Sequence, residues 1–368
     1  MQEVGRSQQG IVGERLRLAR AFRGLTQTEL ARLIAWNPAR ISLAEKGKIT
    51  PKPILVEAIA EVTGFDYSFF GMALSEWLTE EECSFRRRRS VGKKEINSVL
   101  ARGTLVVQLI RYLRGRLDLP EYSIPDFPAS GPEAAEKAAE KCRRFWNLDP
   151  AAPISRIGRV LENAGVPWVT VDARTKAIDA FTYLGDVSLV FANAAKRSAS
   201  RTVFDLAHEL GHLVMHSGGS TLDPDRDREA DRFAAAFLLP REGFFREFPA
   251  TDKIDWDRVH LMKRRWRTSI AAIIRRAFDL GLIGAATYRR AFKYIYFQGW
   301  HRGELWEPES EKPETLELAL SAADAELGES PAGIAASLGM QLETLEEVVG
   351  LDLGASTSGP RTLDIRPV

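Results

Sequence analysis

Over most of the chain apolar residues recur three or four positions apart, the period of helices buried on one side. Between residues 11 and 70 five short patterns of this kind follow one another. Gly24 ends the first, and Thr26-x-x-Glu29 ahead of Leu30-Ala31 reads as a capping box opening the second. Asn37-Pro38 supplies an N-cap and a first helical position for the third, which turns Ile41 and Ala44 inward and Arg40, Ser42 and Lys46 outward until Gly47 closes it. Farther on, Ile96, Val99, Leu100, Leu105, Val106, Leu109, Ile110 and Leu113 predict a long helix able to pack on another module or on a second subunit. A proline-rich boundary over 120–132 precedes an Ala/Glu/Lys helix over 133–145.

The period then changes. Trp168-Val-Thr-Val-Asp172, Ala180-Phe-Thr-Tyr-Leu184 and Val187-Ser-Leu-Val-Phe-Ala192 have the β-branched and aromatic content of three strands, with Gly185-Asp186 as a tight hairpin turn. Helical spacing returns with the stripe Val203, Phe204, Leu206, Ala207, Leu210, Leu213 and Val214, behind a variant capping box of Thr202 and Asp205. A second amphipathic run begins at Glu229 and stops at Pro240, and helices over 256–266 and 269–280 close the module.

Inside that stripe stands His208-Glu209-Leu210-Gly211-His212. Residues four apart share a helix face, so two imidazoles can grip one Zn²⁺ while Glu209 reaches its water. Zinc needs a third protein ligand. His216 lies about 12 Å along the axis from His208, too far to share one metal, and reads as a helix-end histidine or one that supports a ligand. Glu229 leads the small, apolar face of the second helix and would complete a His₂Glu site with an open fourth position. Asp225, Asp227 and Asp231 are its rivals.

These residues resemble the ImmA/IrrE metallopeptidases. Arg201-Thr-Val-Phe-Asp-Leu-Ala-His-Glu-Leu-Gly-His-Leu-Val-Met-His216 is similar to the family's metal helix, and Glu229-Ala-Asp-Arg-Phe-Ala-Ala to its third-ligand helix. Val160-Leu-Glu-Asn-Ala-Gly-Val-Pro-Trp-Val extends the likeness upstream, to about residues 153–240. The resemblance implies His208, His212 and Glu229 as ligands and Glu209 as catalytic acid/base. In the chemistry expected, zinc acidifies water toward a pKa of about 7 and polarises a peptide carbonyl, while Glu209 takes the proton and delivers it to the leaving amine. His260, Tyr183, Arg275 and Arg276 are candidates for stabilising the oxyanion. An extended substrate is expected to lie antiparallel to an edge of the sheet beside the zinc.

The head resembles the Cro/C1-type (XRE) helix-turn-helix, read here as Leu-Thr-Gln-Thr-Glu-Leu-Ala followed by Ile-Ser-Leu-Ala-Glu-Lys-Gly-Lys. Where many members have Gly in the turn, this chain has Ala35-Trp36. The resemblance implies that Asn37, Ala39, Arg40 and Ser42 face bases of double-stranded DNA, with Gln27, Thr28 and Lys46 near phosphates. Between residues 13 and 70, nine Lys/Arg stand against six Asp/Glu, a local +3.

Composition changes this picture little. In 368 residues, 51 Lys/Arg nearly balance 50 Asp/Glu, so the net +1 conceals local patches. One patch is Arg86-Arg87-Arg88-Arg89 with Lys93-Lys94, six charges that would add sequence-independent affinity for phosphates or form a solvated linker. The sequence shows no apolar run of membrane-spanning length and no signal peptide after Met1, so a cytoplasmic protein is expected. Cys83 and Cys142 read as free thiols. In the tail, Ile334-Ala335-Ala336-Ser337-Leu338-Gly339 with Leu345 echoes the helix-turn-helix, yet its second helix carries Glu343, Glu346 and Glu347, which phosphates would repel. A small protein-contact or dimer element is expected there.

The expected fold is multidomain: an all-α helix-turn-helix head (11–70), a basic, helical linker (71–125), an α+β zincin-like metallopeptidase core (126–299), a small α-helical C-terminal element (300–353) and a disordered tail (354–368). The expected function is a DNA-binding regulator with zinc-dependent endopeptidase activity. By resemblance its substrate is an XRE-type repressor, cut to release stress or mobile-element genes, and a homodimer is compatible with the sequence. The alternative is a transcription factor whose peptidase-like domain senses a ligand or protein without proteolysis. Retention of Glu209 argues against that reading.

Overall fold

A computed structural model describes residues 10–74, 77–80, 82–87, 92–171, 178–193, 198–216, 224–353 and 366–367. The chain forms two compact units. One takes the chain up to Glu80, Arg89–Leu119 and everything from Leu316 onward; the other takes Glu81–Arg88 and Pro120–Thr315.

In the first unit α1 (Gly13–Phe22), α2 (Gln27–Leu33), α3 (Pro38–Glu45) and α4 (Pro53–Thr63) lead into a 3-10 turn over Tyr67–Gly71. The capping box forms as its residues predict: Glu29 N donates to Thr26 Oγ1 at 3.1 Å and Thr26 N to Glu29 Oε2 at 2.7 Å. Asn37 caps α3 by accepting from Ala39 N at 2.8 Å. Between α2 and α3, Ala35 takes φ 50°, the left-handed conformation that glycine adopts more readily.

The long helix α5 (Lys93–Arg114) packs within the head's own unit. Its buried residues run almost all round, with Ala101, Thr104 and Val107 buried beside the predicted stripe. One side meets α1, where Ser98 Oγ donates to Phe22 O at 3.2 Å and Arg15 Nη1 to Gln108 Oε1 at 2.9 Å. The last helices of the chain are α14 (Thr315–Leu327), α15 (Pro331–Ser337) and α16 (Leu342–Val349); α16 packs on another side of α5, with Arg102 Nε donating to Val348 O at 2.9 Å. Of the tail, 354–365 lies outside the described residues; β6 (Arg366–Pro367) pairs antiparallel with β2 (Leu117–Asp118).

The echo seen in the tail extends to geometry. Met340 N donates to Ala335 O at 2.8 Å, as Trp36 N does to Ala31 O, and Gly339 has φ 68° where Ala35 has 50°. Buried Ile334, Leu345 and Val348 match Leu30, Ile41 and Ala44 at the same 304-residue offset that separates Met340 from Trp36. The pair α15–α16 therefore repeats α2–α3, but its outer face is used differently. Thr344, the counterpart of exposed Arg40, is buried and donates to Gly64 O at 2.7 Å, while Arg23 Nη1 pairs with Glu347 at 2.7 Å.

The second unit is α+β. Its sheet joins β1 (Cys83–Arg87), β3 (Trp168–Val171), β4 (Ile178–Tyr183) and β5 (Leu189–Asn193) in the order β1-β4-β5-β3; β3 and β5 are parallel and the other pairs antiparallel. The three predicted strands are present within a residue or two, and the connector adds the fourth. Arg86 and Arg87 are thus strand residues, whereas Arg88 and Arg89 lie outside the described residues. Helices α6 (Pro132–Phe145), α7 (Ile157–Asn163), α8 (Ala199–Met215), α9 (Pro224–Leu238), α10 (Arg241–Glu247), α11 (Trp256–Trp266), α12 (Ile270–Asp279) and α13 (Ala285–Phe297) complete the unit. Helix α8 lies on β4 and β5 and is flanked by α9 and α6, with Phe233, Phe237, Leu206 and Leu210 fully buried between them.

Helix α8 starts earlier than its pattern indicated. Its N-cap is Ser198, which accepts from Arg201 N, so Thr202 and Asp205 already lie in the helix. The acidic residues of 304–314 then tie helix ends together. Glu304 accepts from Ile270 N at the start of α12, Glu307 from Ser200 N at the start of α8, and Glu311 from Gly158 N in α7. Buried Lys263 lies between Glu304 and Glu307, with Nζ 2.7 Å from each. A carboxylate at a helix N-terminus meets unsatisfied N–H groups and the positive end of the dipole, which favours this docking.

Candidate metal centre

Helix α8 brings His208 and His212 onto one buried face, with their Nε2 atoms 3.1 Å apart. His208 Nδ1 is 2.8 Å from Asp231 Oδ1 on α9, so it carries the proton and leaves Nε2 as a lone pair. A longer chain of contacts sets His212. Glu229 Oε2 is 3.0 Å from His216 Nε2, which therefore donates; His216 Nδ1 then accepts from His212 Nδ1 at 3.0 Å, and His212 Nε2 is also left as a lone pair. Burial, then the neighbouring His212, holds His216 below the ordinary histidine range, in keeping with its neutral role in this chain.

Two nitrogen lone pairs facing each other at 3.1 Å cannot satisfy one another, and a cation bound by both removes the conflict. The third group is a carboxylate. Asp227 Oδ1 lies 3.5 Å from His212 Nε2 and 4.0 Å from His208 Nε2, and the ligand atoms of these three residues all fall within 4.8 Å of one another. The donor set, two neutral imidazoles and a carboxylate, suits a divalent transition metal.

Glu229 is not brought to the imidazole pair. One of its oxygens meets His216 and the other accepts from Gly131 N at 2.6 Å. The reason is rotational phase. Because α9 begins at Pro224, Asp227 and Asp231 lie four apart on the face toward the histidines, whereas Glu229 is about 200° round the helix from Asp227. Helix α9 packs closely on Gly211, where a Cβ would stand 3.1 Å from the Phe233 ring.

Glu209 is fully buried on α8, and its Oε2 accepts a 2.6 Å hydrogen bond from Thr182 Oγ1 of β4. Of the oxyanion candidates, Arg276 is bound to Glu136 and Leu239 O, Arg275 pairs with Asp279, and His260 packs against the rings of Trp300 and Trp306. Tyr183 is buried in β4. The free thiols Cys83 and Cys142 are buried, and burial pushes the Cys142 thiol well above the ordinary range.

In the head, Thr28, Asn37, Ala39, Arg40 and Lys46 are exposed and Ser42 is half-buried on the outer side of α3. Gln27 is tied inward by a 2.7 Å bond from its Nε2 to Glu45, which also pairs with Arg20.

Comparison with known families finds two matches in this chain. Residues 161–278 match the IrrE N-terminal-like domain of the peptidase M78 family, and residues 11–67 match a helix-turn-helix domain. From N- to C-terminus the chain is thus similar first to a helix-turn-helix domain and then to an IrrE N-terminal-like domain. No match emerges from a comparison with curated proteins. The helix-turn-helix domain supports duplex DNA as a partner, and among the described residues no helix is long and apolar enough to cross a membrane.

Within the IrrE-like region, sequence reasoning missed the contacts of Thr182 with Glu209, Asp231 with His208 and Glu229 with His216. Asp231 carried a usable signal, since it falls four residues after Asp227 on a helix facing an HExxH motif. Thr182 carried none: a threonine in a β-strand is too common to single out.

Proposed function

We propose that this chain is a DNA-binding regulator whose IrrE-like domain is a zincin-like, zinc-dependent endopeptidase. His208, His212 and Asp227 would hold the metal, with Asp231 and Glu229 orienting the imidazoles from behind. The observation that carries this reading is the facing pair of Nε2 atoms, 3.1 Å apart, with each Nδ1 engaged by another side chain. Two such nitrogens on a tetrahedral zinc, at about 2.0–2.1 Å each, stand about 3.3 Å apart. Zinc, when bound, supplies a Lewis acid for the scissile carbonyl and lowers the pKa of water.

The chain's own residues do the rest. Glu209 takes the proton of the attacking water and returns it to the leaving nitrogen. The Thr182 hydroxyl holds Oε2 of that carboxylate, so Oε1 is the oxygen that exchanges the proton. Gly211 lets α9 carry its aspartates up to α8. Asn37, Ala39, Arg40 and Ser42 face base edges, and Thr28 and Lys46 face phosphates; Gln27 braces Glu45. Because the peptidase is tied to a DNA reader, the substrate we favour is an XRE-type repressor, cut to derepress stress or mobile-element genes.

The test is zinc content together with cleavage of a co-expressed repressor. Wild type should hold one zinc, His208→Ala and Asp227→Asn should lose it, and Glu229→Gln should retain it with weakened affinity. Glu209→Gln should keep zinc and lose cleavage. Undiminished cleavage in Glu209→Gln overturns the peptidase reading, and zinc lost in Glu229→Gln but kept in Asp227→Asn overturns the ligand assignment.

A further inference from the structure

The strand that touches Glu209 is not an edge of its sheet. On one side β4 pairs with β5, and on the other it is covered by β1. In that antiparallel ladder Cys83 faces Tyr183, Ser84 faces Thr182, Phe85 faces Phe181 and Arg86 faces Ala180. Ser84 is therefore level with the residue whose hydroxyl meets Glu209 at 2.6 Å. An extended segment running antiparallel to β4 beside the acid/base carboxylate has the pose in which polypeptides add to a sheet edge. The place expected for a substrate is filled by the chain's own connector.

Three features set this strand apart from the rest of the sheet. It belongs to the second unit, although the chain on both sides of it, up to Glu80 and from Arg89, belongs to the first. It lies outside residues 161–278, the extent of the IrrE-like match. Its register slips between Arg86 and Arg87, so the regular ladder runs from Cys83 to Arg86 only. Departure of this strand would leave a row of unpaired N–H and C=O groups on β4, a template for another extended chain.

We propose that Cys83–Arg87 is a built-in occupant of the peptide-binding edge of β4. The segment excludes external polypeptide until it is displaced, and the incoming polypeptide then takes its place antiparallel to β4, level with Glu209. The ligand of this edge is thus an unfolded, extended segment rather than a folded surface. Occupancy of the edge stands apart from catalysis; only the consequence, that cleavage waits on displacement, rests on the peptidase reading above.

The test uses the full-length chain in a Glu209→Gln background, so that bound peptide is not cut, and a fluorescein-labelled peptide with the sequence of residues 82–87. Adjacent strand residues send their N–H groups to opposite sides, so Ser84→Pro with Phe85→Pro removes a β4-facing donor whichever phase the ladder has. Fluorescence anisotropy should show at least tenfold tighter peptide binding to the proline variant than to its parent; equal affinity overturns the proposal. A second variant does not depend on a weakened strand. Arg86→Cys with Ala180→Cys, opposite each other in register, is crosslinked by oxidation and verified by mass. The crosslinked protein should bind no peptide and reduction should restore the parent's affinity, whereas binding unaffected by the crosslink overturns the proposal. A proline variant that binds the peptide yet, with Glu209 intact and zinc loaded, cleaves nothing leaves the edge assignment standing and removes the peptidase reading.

Discussion

The Thr182 hydroxyl donates to Glu209 Oε2 at 2.6 Å, joining β4 to α8 at the carboxylate we propose as the acid/base. Both residues are buried, and a hydrogen bond to an ionised group in such a place contributes about 1.5–3 kcal/mol. Thr182→Val removes the donor and keeps the shape. Peptide hydrolysis should fall roughly 10- to 100-fold with zinc content unchanged, and Thr182→Ser should recover most of the rate. Full activity in the valine variant would mean that the hydroxyl does not position Glu209.

Asp231 fixes the tautomer of His208. In Asp231→Asn the amide can turn its NH₂ toward Nδ1, which makes Nδ1 the acceptor and puts the ring proton on Nε2, where a metal would need the lone pair. Zinc affinity, measured by competition with a chelator, should drop about 10- to 100-fold while circular dichroism stays native. An unchanged affinity assigns Asp231 to the surface.

Ala35 occupies a left-handed turn at φ 50°. A β-branched side chain tolerates this conformation poorly, whereas glycine adopts it without strain. Thermal unfolding should show Ala35→Val destabilised by about 1 kcal/mol or more and Ala35→Gly stabilised by roughly 0.5 kcal/mol. Opposite signs would mean that the turn relaxes to another geometry.

Glu162 is almost wholly buried, and burial pushes its carboxyl up to about 7, while N–H groups of Thr315 and Glu314 oppose the shift. A carboxyl raised in the folded state keeps a proton that the unfolded chain has released. Its contribution is therefore present below the unfolded value near 4.5 and is lost as pH rises through about 7. The full effect is at most about 3 kcal/mol. Glu162→Gln carries no such proton, so the stability of wild type relative to this variant should decline between pH 5 and 8. Denaturation midpoints that stay parallel across that range would exclude the effect.

Much of the local structure was legible in the residues. Thr26 and Glu29 announced a capping box, Asn37-Pro38 a helix start, and the spacing of His208 and His212 a shared helix face, because each of these relations is completed within one helical turn. The strands around Trp168, Phe181 and Phe191 were equally plain from their branched and aromatic content. Less of the candidate site was legible. Glu229 was the carboxylate the pattern favoured, yet the start of α9 at Pro224 and the packing of Phe233 against Gly211 turn Asp227 toward the histidines instead.

The sequence by itself determined the order of the two modules, the ends of most helices and the face on which the HExxH side chains lie, since these follow from contacts among residues a few positions apart. Only the tertiary structure decided which carboxylate approaches that face, which hydroxyl holds Glu209, and that the connector strand Cys83–Arg87 covers β4 nearly a hundred residues farther along the chain. Those outcomes depend on the relative rotation of packed helices and on strand pairing between distant segments, and neither leaves a periodic mark in the sequence.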